Sequence, residues 1–434
     1  MRGLLVAAPA SGSGKTVVTL GLLRALRQRG LAVRGAKSGP DYIDPRFHEA
    51  ACGAPCLNLD AWAMAPARLQ ALAAGDGLLL VEGAMGLFDG APPEGRGSAG
   101  DLARILGIPV VLVVDASRLA QSAGPLIAGF LRHDPAVRVV AVLLNRVGSP
   151  RHGAILRAAV EREGTTVLGL LPRAAGLVHP SRHLGLVQAA ERADLESFIQ
   201  GAADWIAAHA DLDALAALAA PLAPAPATPR LPPPAQRIAL AADAAFAFAY
   251  PHLLVDWRAA GAEILPFSPL ADQAVPEADL VILPGGYPEL HAGRIAAAET
   301  FMSSLRKAAK DIVIYGECGG YMVLGDSLED ETGRMHRMAG LLPLSTSFAR
   351  RRLHLGYRIV ETGAPPFAGR WAAHEFHYAT VQREEGRPLF RAWDAEGRPV
   401  GPMGLRQGRV CGSFAHLIDR LDGQAPAGTV ALAS

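Results

Sequence analysis

Short apolar runs, each closed by glycine, proline or a single acid, recur along the chain with longer mixed segments between them. In the first half they fall at residues 4–8, 78–81, 110–114 and 139–144, and in the second at 237–242, 262–267, 278–283 and 311–315. A run without polar alternation suits a strand covered on both faces, as in a parallel sheet sandwiched by helices. Apolar residues at helical spacing fill several of the gaps, among them residues 17–27 and a stretch ending near Leu218. The pattern predicts an α/β protein built on doubly wound parallel sheets, with a first domain over residues 1–218 and a second over 237–434. Between them Pro221, Pro224, Pro226, Pro229 and Pro232-Pro233-Pro234 forbid a helix or central strand, so 219–236 is expected to be an extended linker.

The first run leads into Pro9-Ala10-Ser11-Gly12-Ser13-Gly14-Lys15-Thr16 and then the predicted helix. Strand, glycine-rich loop, Lys-Thr and helix is the layout of a phosphate-binding loop. Backbone N–H groups of Gly12, Ser13 and Gly14 would wrap the phosphates of ATP, Lys15 would neutralise the terminal ones, and Thr16 would reach Mg2+. The pattern departs from its strict form at Pro9, where glycine is expected, and from a longer variant at Ala8. Four apolar residues at 78–81 end on Glu82, which a buried strand would deliver beside that loop as a Mg2+ ligand. Asp41 and Asp44, in Lys37-Ser38-Gly39-Pro40-Asp41-Tyr42-Ile43-Asp44-Pro45, are placed to hold Mg2+ or order a terminal phosphate, Asp41 being counted among the metal ligands. The alternative is that both shape turns, the role also given to Asp89. Asn145 closes its run and would read a nucleotide base or cap a turn. Ser181-Arg182-His183-Leu184-Gly185-Leu186 is either a surface loop or a pocket for an acidic substrate, since the Arg182 fork matches a carboxylate.

In the second half, the run ending at Tyr315 breaks into Gly316-Glu317-Cys318-Gly319-Gly320. A strand followed at once by small residues makes a sharp turn that can present the Cys318 thiol as a nucleophile, with N–H groups such as that of Gly319 aimed at the oxyanion it creates. Gly285 and Gly286, at the end of the preceding strand, are placed to complete the oxyanion hole. A buried structural cysteine is the alternative. A thiol nucleophile needs a base. His416, presented after Val410-Cys411-Gly412-Ser413-Phe414-Ala415, is favoured, with His374 or His377 second. If His374-Glu375-Phe376-His377 lies on a strand, its two histidines face opposite sides, which disfavours a shared metal.

Half of the 434 residues are hydrophobic and 19% are charged, enough apolar material for more than one core. A formal net charge of +1 gives no electrostatic case for nucleic acid or an acidic membrane. The four cysteines, Cys52, Cys56, Cys318 and Cys411, are too sparse for a disulfide framework and lack paired zinc spacing. No apolar stretch approaches the ~18 residues of a membrane span, so a cytoplasmic protein is expected. Arg350-Arg351-Arg352 would be a solvated run or line a route for a polyanion.

Taken together, these motifs resemble those of the cobyrinic or hydrogenobyrinic acid a,c-diamide synthases, amidotransferases of cobalamin biosynthesis. The resemblance is carried by residues 12–16, 39–45, 81–90, 182–186, 285–289, 317–320 and 374–378 in their order and spacing. It implies an N-terminal ATPase domain like dethiobiotin synthetase and a C-terminal class I glutamine amidotransferase domain, with corrin, ATP and L-glutamine as ligands, and it is compatible with a homodimer. Cys318 would attack the glutamine amide with His416 as base, while ATP and Mg2+ held by Lys15, Thr16 and Glu82 phosphorylate a corrin carboxylate with Asp41 and Asp44 assisting. Arg182 and His183 belong to the substrate side. The acid that completes a Cys-His-Glu triad in class I enzymes stands two residues past the histidine; that position here is Ile418, and the resemblance implies a site that works without an acid there. Related amidotransferases with another acceptor are the alternatives: cobyric acid synthase, nickel-sirohydrochlorin a,c-diamide synthase or an enzyme of cell-wall lipid amidation. An ATP-driven switch of the partition-protein type shares the phosphate loop but has no use for Cys318 and His416.

Overall fold

The computed structural model describes residues 1–177, 181–182, 185–186, 188–225, 228 and 230–421. The chain divides into two compact units, Met1–Thr228 and Pro229–Ser434.

In the first unit β1 (Arg2–Ala7), β2 (Val33–Ser38), β3 (Leu57–Leu59), β4 (Leu78–Glu82), β5 (Val110–Asp115), β6 (Val139–Val147) and β7 (Thr166–Pro172) form a parallel sheet in the order 3-2-4-1-5-6-7. Leu4, Leu5, Leu80, Val81, Val111 and Leu112 have almost no exposed surface, which accounts for their unbroken apolar runs. From β1 the chain winds first to one side, through β2 to β4, and then to the other, through β5 to β7. The strand order therefore reverses at β1, and ligands of such sheets sit beyond the strand C-termini at that point. The loop after β1 leads into α1 (Lys15–Gln28), and the loop after β2 into α2 (Asp44–Cys52).

The proline-rich stretch does not begin as a free tether. Ala220–Pro221 pairs antiparallel with the first residues of β1, Gly3 facing Ala220 and Arg2 facing Pro221. The Arg2 guanidinium clasps the carbonyls of Ala219 and Ala217 at 2.8 and 2.9 Å. Leu222 N–H reaches the Met1 carbonyl at 3.4 Å just beyond it, so Pro221 occupies a non-hydrogen-bonded position where its missing N–H would point away from β1.

The second unit is a mixed sheet. Glu263–Phe267, Arg237–Ala241, Leu280–Leu283, Val313–Glu317 and Val410–Ser413 are parallel neighbours in that order. Pro399–Gln407, Arg387–Asp394, His354–Thr362, Gly369–His377 and Ala415–Arg420 then continue it antiparallel. Val410–Ser413 and Ala415–Arg420 are joined by Phe414 alone yet stand five places apart in that order. The sheet must therefore curl back on itself, bringing Gly369–His377 and Ala415–Arg420 round to the end of Val313–Glu317. Among the described residues no helix is long and apolar enough to cross a membrane.

Candidate active sites

In the first unit the loop after β1 is closed by two left-handed residues, Gly12 at φ 81° and Gly14 at φ 85°. A side chain at Gly14 would place its Cβ 2.5 Å from the Asn145 amide nitrogen, so the position is closed sterically as well as conformationally. Pro9 stands where the chain has no left-handed turn to make, so a glycine missing there does not spoil the cradle. Asn145 uses an amide N–H to hold the Ser13 carbonyl at 2.9 Å and accepts the Arg146 N–H at Oδ1, so it braces the phosphate loop. Ser13 Oγ donates to the Ala10 carbonyl. The Lys15 ammonium donates to the Met85 carbonyl; burial pulls its pKa down, against the opposing pull of Glu82.

Glu82 is the hub of this site. Its Oε1 accepts from Thr16 Oγ1 at 2.8 Å and Lys37 Nζ at 2.9 Å, and its Oε2 contacts His48 Nε2 at 2.7 Å. The sequence places Glu82 in a Mg2+ shell. Both oxygens of this buried carboxylate carry hydrogen bonds, through which Glu82 orients the Thr16 hydroxyl and the Lys37 ammonium at the edge of the phosphate loop. Lys37 also donates to Asp44 Oδ2 at 2.5 Å and lies 3.9 Å from Asp41 Oδ2. Burial alone would strip the proton from Lys37, and Asp44, Glu82 and Asp41 more than offset it, raising its pKa above the ordinary lysine value. Burial alone would likewise keep Glu82 protonated, and Lys37 and His48 overcome it, holding the carboxyl well below the usual carboxylate range.

Asp41 has two jobs. Its Oδ1 accepts from the N–H groups of Ile43 and Asp44 at 2.8 and 3.1 Å, the turn-shaping role, while Oδ2 faces Lys37. Asn58 fixes the same loop through the carbonyls of Gly39 and Asp41. Asp44 keeps one buried oxygen, Oδ1, without a partner. A desolvated carboxylate oxygen beside a phosphate loop fits a divalent cation. Asp89 accepts from Gly86 N–H at 2.8 Å, as a turn residue does. Lys37 and His48 carry no signal of a role in the sequence, since only the fold brings residues from β2 and α2 onto the end of β4. Arg182 lies in the two-residue strand Ser181–Arg182, paired with Gly185–Leu186; His183 lies outside the described residues.

In the second unit Cys318 has φ 46° and ψ −101°, a conformation costly for any side-chain-bearing residue. It is held by its own N–H to the Ser413 carbonyl at 2.8 Å and by Gly320 N–H to the Pro284 carbonyl at 3.1 Å. A Cβ at Gly320 would stand 1.9 Å from the Leu283 carbonyl, so the turn closes only with glycine there. The loop carrying Gly285 and Gly286 meets it: a Cβ at Gly319 would fall 3.1 Å from the Gly286 nitrogen, and one at Gly285 would fall 2.2 Å from His416 Cε1. The three glycines of the expected oxyanion hole and the favoured base thus converge at one strand end. Burial, with Glu289 next, pushes the Cys318 thiol up, and burial, with His374 and His377 next, pulls His416 down to about 3. Both shifts favour the neutral forms, a thiol on Cys318 and, on His416, an imidazole able to accept a proton.

His374 faces His416 across the strand pair, and His377 stacks on Phe414 at 4.0 Å. His354, Glu375 and His377 bring ligand atoms within 4.8 Å of one another. The His354 and His377 rings are stacked 5° from parallel, however, so their in-plane lone pairs cannot converge on one ion. Arg358 already pairs with Glu375 at 2.7 Å. This cluster does not fit a metal. Arg350, Arg351 and Arg352 are all exposed.

Residues 4–186 match the CobQ/CobB/MinD/ParA nucleotide binding domain, and residues 237–421 the CobB/CobQ-like glutamine amidotransferase domain. Over 429 residues the chain is 56% identical to a hydrogenobyrinate a,c-diamide synthase of Rhodobacter capsulatus, covering 96% of this chain and 98% of that one. A synthase of the same name from Brucella suis is 55% identical over 437 residues, with 96% and 99% coverage. One from Rhizobium meliloti is 53% identical over 427 residues, with 96% and 99% coverage.

Proposed function

Because the chain belongs to the hydrogenobyrinate a,c-diamide synthase family, we propose that it amidates the a and c side-chain carboxylates of hydrogenobyrinic acid, taking nitrogen from L-glutamine and driving each step with ATP. The observation that carries this reading is the presence, in one chain, of a braced phosphate loop beside acidic residues and of a cysteine elbow and a buried histidine both packed against the Gly285-Gly286 turn.

In the second unit the thiol proton of Cys318 passes to His416 as sulfur bonds to the glutamine amide carbon. N–H groups of Gly285, Gly286 and Gly319 receive the oxyanion. The amide C–N bond then breaks, ammonia leaves with the proton from His416, and water cleaves the thioester to glutamate. In the first unit a corrin carboxylate oxygen attacks the γ-phosphorus of ATP, displacing ADP. The acyl phosphate so formed has a leaving group that a carboxylate lacks, and ammonia replaces it to give amide and phosphate. Lys15 and Lys37 neutralise the phosphoryl oxygens, with Glu82 setting the position of Lys37. Thr16, Asp41 and Asp44 would hold Mg2+, which when bound screens the polyphosphate charge. Arg182 and His183 stay with the substrate side of this proposal, and a homodimer in the cytoplasm goes with it.

The test is to incubate the purified chain with hydrogenobyrinic acid, ATP, Mg2+ and glutamine and follow the macrocycle by mass spectrometry. Two acid-to-amide conversions are expected. An unchanged macrocycle, with cobyrinic acid converted in a parallel reaction, would move the assignment to the cobalt-bearing ring.

A further inference from the structure

The residue before the nucleophile is itself an acid. Glu317 ends the strand Val313–Glu317, and its Oε1 accepts from the backbone N–H of Leu417 at 3.1 Å. That bond ties the carboxyl to the residue next to His416. The other oxygen, Oε2, lies 3.7 Å from His416 Nδ1. This is longer than a hydrogen bond, within the slack that catalytic contacts show before substrate tightens them. Both groups are buried, so at that distance a charge on one is felt strongly by the other.

We propose that Glu317 is the positioning acid of the glutaminase site: it holds His416 through Nδ1, leaving Nε2 for the Cys318 thiol, and stabilises the imidazolium that forms when the thiol proton is transferred. The proposal rests on the Cys318–His416 reading above. It supplies the acid that Ile418 cannot, because the curled sheet brings a carboxyl from the nucleophile's own strand to the Nδ1 edge of His416. The other groups around the pair do not compete for this role. Tyr315, two residues back on the same strand, favours the charged form of the Glu317 carboxyl, and His374, His377 and Glu375 approach His416 from the neighbouring strand. Glu375 is committed to Arg358 and His377. Burial lifts the Glu317 carboxyl to about 8, so its negative charge, and with it the support of an imidazolium, is gained as the pH rises toward that value.

Glu317→Gln keeps the shape and the bond from Leu417 while removing the charge, and Glu317→Asp keeps the charge but shortens its reach. Both are assayed in the full chain for glutamate release across pH 6 to 9, beside amidation driven by ammonium salt, which bypasses the thiol. The expected result is a fall of ~10- to 100-fold in kcat for glutamine hydrolysis in Glu317→Gln, with KM for glutamine and ammonium-driven amidation little changed. The rising limb of the wild-type profile near pH 8 should disappear, and Glu317→Asp should recover part of both. If Glu317→Gln does not fold, as judged by circular dichroism and by loss of ammonium-driven amidation, Glu317→Asp decides: a wild-type rate and profile there overturn the proposal. Wild-type turnover and profile in Glu317→Gln overturn it too. Cys318→Ser separates the two levels: persistent glutaminase in that variant would sink the nucleophile assignment, whereas its loss beside an unaffected Glu317→Gln would sink only the role of Glu317.

Discussion

Gly285→Ala adds one methyl group where the structure has no room for it. The new carbon would stand 2.2 Å from His416 Cε1, 3.0 Å from Nε2 and 3.2 Å from Nδ1. Carbon–carbon contacts settle near ~3.5–4.0 Å, so the imidazole or the loop must retreat by at least ~1 Å. His416 has no exposed surface into which to retreat. Overpacking of this kind typically costs ~1–3 kcal/mol of stability, and a ~1 Å displacement of a catalytic group costs on the order of 10²-fold in rate, about 2.7 kcal/mol of barrier. The assay is glutamate release under saturating glutamine, paired with ammonium-driven amidation in the same preparation and a thermal melt. The prediction is a ~100-fold loss of glutaminase with the ammonium-driven reaction retained. Full glutaminase in a normally folded Gly285→Ala protein would refute the placement of His416 as the base against the Gly285 turn.

Other outcomes follow from the same geometry. Lys37→Met leaves Glu82 and Asp44 without their shared cation, and breaking a buried pair in this way should cost ~3–5 kcal/mol; denaturation should show an early transition of the nucleotide-binding unit, while glutaminase persists below it. Stability of the second unit should fall on both sides of a mildly acidic optimum. His416, held at about 3 against 6.5 for a free imidazole, gives up its contribution as pH drops through that interval, because the unfolded chain gains the proton first. Glu317, lifted to about 8 from 4.5, keeps its proton in the folded state while the unfolded carboxyl loses it, so stability declines as pH rises between those values. Circular dichroism melts of wild type and Glu317→Gln from pH 4 to 9 check this, the alkaline decline becoming shallower in the variant.

Much of the fold and of both sites is legible in local patterns along the chain. The unbroken run closing on Glu82 and the Gly12-Ser13-Gly14-Lys15-Thr16 sequence mark a strand edge and a phosphate loop, because burial on both faces and left-handed turns leave their signature on adjacent residues. The small residues around Cys318 do the same for the nucleophile's turn. Lys37, His48 and Glu317 are silent for the opposite reason. Each acquires its meaning from a partner far away in sequence: Lys37 and His48 from Glu82, and Glu317 from His416, which reaches it only because the sheet curls at Phe414. The engagement of both Glu82 oxygens is hidden in the same way, and so is the pairing of Pro221 with Arg2, since proline in a sequence argues for breaking structure rather than joining it. The apparent want of an acid at Ile418 arises from looking along the chain instead of across the sheet.

The central claim is that nitrogen freed at Cys318 becomes the nitrogen of the new amides. It is tested most directly by supplying glutamine labelled with 15N in its side-chain amide to wild type and Cys318→Ser, each with hydrogenobyrinic acid, ATP and Mg2+, and reading the label in the macrocycle. The account predicts two labelled amides with wild type, none with Cys318→Ser, and two again when that variant is given 15N-ammonium. Label from glutamine reaching the macrocycle through Cys318→Ser at the wild-type rate would contradict it.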